Sequence, residues 1–102
     1  MKKVIDGKLY NTETAQNLGY WWNGLSTNDF GYLREALYQT KSGKYFLHGI
    51  GGARTGYAES YGSLLHGSEA IIPLSTEEAQ DFAENHLSAD EYIAAFGEPV
   101  EA

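Results

Sequence analysis

The sequence predicts an α+β domain, a small antiparallel sheet of three to four strands packed against short C-terminal helices. Three observations carry this reading. Residues 32–40 and 44–50 alternate in polarity about Lys41-Ser42-Gly43, as the two arms of a hairpin do. Ser75-Thr76-Glu77-Glu78 and Ser88-Ala89-Asp90-Glu91 are both capping boxes, each opening a helix. A chain of 102 residues that is 42% hydrophobic can fill one core but not two, so residues 1–102 form a single domain.

The elements follow in order. Val4-Ile5 and Leu9-Tyr10 flank Asp6-Gly7, a tight-turn pair, so the chain begins with a small hairpin or a kinked strand. Asn11 or Thr12 is suited to cap a short helix, Thr12–Leu18, closed by Gly19. Gly19–Asn23 reads as a strand with Trp21 and Trp22 on opposite sides, leaving through Asn23-Gly24. Leu25–Gly31 is a polar loop. In the central hairpin Leu33, Glu35, Leu37 and Gln39 share one face, and Tyr45, Leu47 and Gly49 share a face of the return arm. Gly51–Gly56 is a loop, and residues 57–67 show no clear period. Glu69–Leu74 is a short buried strand that Pro73 confines to a sheet edge. Ala79, Phe82, Ala83, His86 and Leu87 recur at helical spacing and form one buried stripe. Tyr92, Ile93 and Phe96 are the inward positions of a second helix, which Gly97 and Pro99 end.

Charge divides the chain unevenly. Residues 1–54 hold all seven Lys and Arg against four acids, whereas residues 55–102 hold ten acids and no Lys or Arg. The acidic half repels nucleic acid and attracts a basic surface, so no direct nucleic-acid binding is expected. Plain colloidal repulsion between copies is the simpler account of the same charge. The absence of Cys excludes disulfides, Cys-ligated zinc and thiol chemistry. No apolar run approaches the ~18–20 residues of a membrane span, and Met1-Lys2-Lys3 leads into Val4-Ile5-Asp6-Gly7 rather than an apolar leader. A soluble, cytoplasmic protein with no membrane partner is expected.

Catalytic motifs are weak. His48-Gly49-Ile50-Gly51-Gly52-Ala53-Arg54-Thr55-Gly56 resembles a phosphate loop, but it lacks the Walker lysine, and Arg54 stands where a dinucleotide fingerprint needs glycine. His48, His66 and His86 show no metal-ligand spacing. Arg54, Tyr57, Glu59, Ser60 and Glu69 include the residue types of a mono-ADP-ribosyl transferase without its surrounding motif. No catalytic residue, metal or cofactor is expected. A small enzyme or toxin, the alternative class, would use the Gly51–Gly56 loop with His48, Arg54 and Glu59. Eight Tyr and two Trp point instead to binding, because aromatic side chains bury large area at small entropic cost.

Three stretches carry a resemblance: Ile5–Ala15, Leu37–Gly52 and Ile71–Ala79. Their order and spacing resemble a group of small phage and mobile-element proteins. Such elements also encode anti-CRISPR inhibitors, to which this chain is similar in size and charge. The resemblance implies a mobile-element origin. By analogy it also implies a cytoplasmic protein in the host cell that inhibits a nucleic-acid-binding host protein, most concretely the DNA-binding surface of a Cas effector. The residues expected to meet that partner are Glu77, Glu78, Asp81, Glu84, Asp90 and Glu91, with Trp21 and Trp22. A self-associating accessory protein is the third reading.

Overall fold

The computed structural model describes residues 1–102. Asp6 and Gly7, at φ 52° and 73°, both take the left-handed conformation of a type I′ turn and fold β1 (Lys2–Ile5) back on β2 (Lys8–Asn11). The main sheet is built from β3 (Gln16–Trp22), β4 (Leu33–Gln39) and β5 (Tyr45–Gly51). A small ribbon, β6 (Glu59–Tyr61) with β7 (Leu64–His66), precedes the last strand, β8 (Ser68–Leu74). The main sheet is antiparallel throughout, in the order β3-β4-β5-β8. Pro73 lies on an edge strand, where its missing N–H leaves no central ladder position unpaired. Helices α1 (Thr76–His86) and α2 (Ala89–Phe96) complete the chain. Neither is long and apolar enough to cross a membrane.

The pleat sends neighbouring side chains to opposite faces, and each face has its own cover. Leu37 pairs with Leu47 and Gln39 with Tyr45 on one face, which receives Ala79, Phe82 and Ala83 of α1. Leu18, Trp21, Leu74, Leu87, Tyr92 and Phe96 close around that cluster. Tyr38 pairs with Phe46 on the other face, where Tyr10 and Ile71 are buried with them. The β1–β2 ribbon forms this second cover through Ile5 and Tyr10, with Tyr10 edge-on to Phe46 at 5.5 Å. Burying one such side chain is worth roughly 1.5–3 kcal/mol, so two small clusters hold the fold together.

Residues 12–18 form no helix. The Asn11 side chain accepts from the Glu13 N–H at 3.0 Å, and the Asn11 carbonyl accepts from Ala15 at 3.0 Å. These bonds make a tight turn, from which Gln16 enters β3 directly. An Asn before a helix and an Asn opening a turn look alike in sequence, and seven residues are too few to propagate a helix unaided. The strand expected at Gly19–Asn23 therefore starts three residues earlier, with a bulge between Asn17 and Gly19. Ile93, expected inward, is 37% exposed, because Tyr92 and Phe96 take the contacts of α2 with the sheet. Residues 57–67, left open by sequence, include the β6–β7 ribbon, whose Tyr61, Leu64 and Leu65 are exposed.

Phe82→Ala should remove about 3–5 kcal/mol of stability and lower the melting midpoint by upwards of about 12 °C. Thermal unfolding followed by circular dichroism measures this. A midpoint unchanged within about two degrees would show that the α1 face is not core.

Candidate functional site

Both helices begin at the predicted caps. The Ser75 hydroxyl accepts from the Glu78 N–H at 3.1 Å, and Glu78 Oε1 accepts from the Ser75 N–H at 2.9 Å. Ser88 and Glu91 repeat the arrangement at 3.1 Å and 3.0 Å. Bonding from the Ser75 backbone, and secondarily its hydroxyl, holds the Glu78 carboxyl below its ordinary pKa. A depressed carboxylate stabilises the folded state above its unfolded pKa, and this contribution fades as pH falls through the folded value. Glu78 and Glu91 are thus acidic residues that also cap.

The remaining helical acids have no structural duty. Glu77, Asp81 and Glu84 follow at i, i+4 and i+7, are exposed, and form a stripe whose steps along the axis are about 6 Å and about 4.5 Å. Asp90 is exposed at the start of α2. No Lys or Arg pairs with any of these acids, and the one carboxylate with a basic side chain beside it is Glu69, next to His48.

The two tryptophans part company. Trp21 lies on the helix-covered face, stacked on His86 at 4.3 Å, and its indole N–H donates to Glu35 Oε1 at 3.2 Å. It is a packing residue. Trp22, on the other face, is 51% exposed, and its Nε1–H donates to the Leu25 carbonyl at 2.7 Å.

The residues named for an enzymatic alternative do not converge. His48 Nε2 is 2.7 Å from Glu69 Oε2 on the ribbon-covered face of the sheet. Arg54 rests over the Phe30 ring at 5.8 Å. Glu59 lines a cleft of about 530 Å³ with Leu33, Glu35, Tyr57, Ala70 and Ile72, and neither His48 nor Arg54 reaches it. A second cleft of about 740 Å³ takes in Gly51, Gly52 and Ala53 with His66 and Glu69, again without assembling the set.

What the loop after β5 does is pack. Gly49 and Gly51 leave a notch on the helix side of the sheet, and the Tyr57 ring fills the space a Cβ at Gly49 would need. The Tyr57 hydroxyl donates to Glu35 Oε2, whose other oxygen accepts from Trp21. A chain of contacts therefore runs from the loop through Glu35 and Trp21 to His86 on α1. The sequence places Glu35 on a strand face and Tyr57 among scattered catalytic residue types, and nothing in it joins the two. The available signal was Gly inside a strand, which marks a close approach.

No protein-family model, curated protein or solved structure matches the chain.

Burial first, then the hydrogen bond and charge of Glu35, raises the Tyr57 pKa well above that of a free phenol. A raised pKa means the protonated phenol is favoured in the fold. Its contribution is complete below the unfolded pKa of about 10 and disappears as pH climbs through the higher folded value. In an ultraviolet pH titration Tyr57 should ionise well above the pH at which a free phenol does, and Tyr57→Phe should remove that late step. Gly49→Ala should cost about 1–3 kcal/mol, as overpacking does. The cost should shrink when Tyr57→Ala is added. Equal costs in both backgrounds would mean that the ring does not occupy the notch.

Proposed function

We propose that this chain is a binding protein whose acidic helical face engages a basic, nucleic-acid-binding surface on another protein. Eight acids follow Ser75 with no Lys or Arg among them. Those on the helices are exposed and without ion partners, and that single observation carries the reading. Unpaired charges on a rigid, doubly capped helix pair are positioned in advance, so they steer encounter at little ordering cost.

Glu77, Asp81, Glu84 and Asp90 are the primary contacts. Glu78 and Glu91 add charge from their capping positions. The match to a phosphate track is coarse, because steps of ~4.5–6 Å along the helix exceed the ~3.4 Å spacing along one nucleic-acid strand. The surface works by charge and occlusion rather than by atom-for-atom imitation. The concrete form of this reading is an inhibitor encoded by a phage or mobile element, acting in the host cytoplasm against a Cas effector in the manner of anti-CRISPR proteins. Trp21 leaves the contact set because it packs beneath α1.

The test replaces Glu77, Asp81 and Glu84 by Lys and passes a host lysate over both immobilised proteins. The wild type should capture a basic nucleic-acid-binding protein that competing duplex DNA and rising salt both release. The Debye length falls from about 10 Å at 0.1 M to about 3 Å at 1 M, and capture should fall with it. The variant should retain its melting midpoint and capture at least about tenfold less. Unchanged capture by the variant at 150 mM salt, or retardation of DNA by the wild-type protein itself, would contradict the reading.

A further inference from the structure

The sheet has two edges, and they are built differently. β8 carries Glu69 and Pro73, a charge and a missing donor of the kind that discourages another strand from pairing. β3 ends the sheet on the other side with Gln16–Trp22, which contains no charged residue and no Pro. Its bulge is confined to Asn17–Gly19, so Tyr20–Trp22 is a regular, unguarded edge. Half the backbone polar groups of such an edge face outward without a ladder partner.

Beside this edge lies a cation without a counter-charge. Arg34 stands opposite Trp22 on β4, and its guanidinium reaches back over the Tyr20 ring at 4.5 Å from the centroid. The charge is thereby carried from β4 onto the edge strand. Arg34 is half-buried, yet none of its guanidinium N–H groups is bonded to a protein acceptor and it belongs to no ion pair. Tyr20 and Trp22 are 55% and 51% exposed, and the Leu25 carbonyl fixes the Trp22 ring. Trp, Tyr and Arg are the residue types most enriched where binding energy concentrates.

We propose that the free edge of β3 docks an extended acidic segment of a protein partner as a fifth strand, one of its carboxylates meeting Arg34. Strand addition satisfies the outward backbone groups, and the guanidinium fork supplies selectivity for a carboxylate. A second copy of this chain is a poor occupant. Two β3 edges side by side would bring two Arg34 side chains together on one face. On the other face α2 lies over β3, with the Glu91 carboxylate against Gly19, so two acidic helices would also meet. This edge is separate from the acidic stripe, and either site can fail without the other.

The experiment is a titration of isotope-labelled full-length protein, followed by amide and indole NMR signals, with two blocked peptides. One is Thr-Glu-Val-Glu-Thr, and the other has Lys in place of both Glu. The acidic peptide should shift the amides of residues 19–22 and 34 and the Trp22 Nε1–H saturably. The Lys peptide, and Arg34→Gln protein with the acidic peptide, should each bind about tenfold more weakly. Absence of saturable shifts at millimolar peptide, equal binding of the two peptides, or shifts centred elsewhere would overturn the proposal. So would concentration-dependent broadening of β3 signals without peptide, since a second copy would then hold the edge. The charge-reversed peptide keeps the test decisive even if Arg34→Gln misfolds.

Discussion

Leu37 and Phe46 are the two largest side chains in the protein to be fully buried, and they point to opposite faces of one sheet from adjacent strands. A sheet buried on both faces needs two covers, and 102 residues supply two unequal ones. Two capped helices lie on the Leu37 side, and a two-stranded ribbon lies on the Phe46 side. Neither cover extends over the whole sheet. The surfaces argued to act on partners are those the covers leave or create: the outer face of the helices, and the edge and open corner around Tyr20, Arg34 and Trp22.

Glu35 joins these regions. It sits on the helix side of β4, where a carboxylate would otherwise interrupt an apolar face. Tyr57 and Trp21 each donate to one of its oxygens, which satisfies the group and ties the loop after β5 to the edge strand. Stacking of Trp21 on His86 extends that tie to α1, the helix that presents Glu77, Asp81 and Glu84. The acidic face is therefore held from below by a polar bridge as well as by Phe82. Rigidity of this kind is what lets exposed charges act as a surface rather than as independent side chains.

The parts of the fold readable from sequence are those set by local chemistry. The central hairpin announces itself by alternation and Gly43, the helices by two capping boxes, and the edge position of β8 by Pro73. The misread parts depend on partners far along the chain. Asn11 offers the same side-chain acceptor to a helix or a turn, and the ladder with β4 decides for the turn and the strand. Ile93 and Phe96 fit an inward stripe equally well, and only the placement of α2 over β3 and Tyr45 selects Phe96. Glu77, Asp81 and Glu84 fall on the exposed side of α1, away from the stripe of Ala79, Phe82 and Ala83 that helical spacing marks as buried. Trp21 and Trp22 were separable by pleat but not assignable to faces. Arg34 gave no signal, since its role rests on a ring 14 residues away, and Gly49 within β5 marks a close approach without naming Tyr57 as the residue that makes it.

Native-state amide hydrogen exchange tests most directly the claim that two partial covers meet at β4 and β5. Amides of Leu37, Tyr38, Phe46 and Leu47 should exchange slowest, at the rate of global unfolding. The outward amides of Tyr20–Trp22 should exchange far faster while α1 stays protected. Protection of the β3 edge equal to that of β4 and β5, or exchange of α1 as fast as that of the segment after Gly97, would contradict the account.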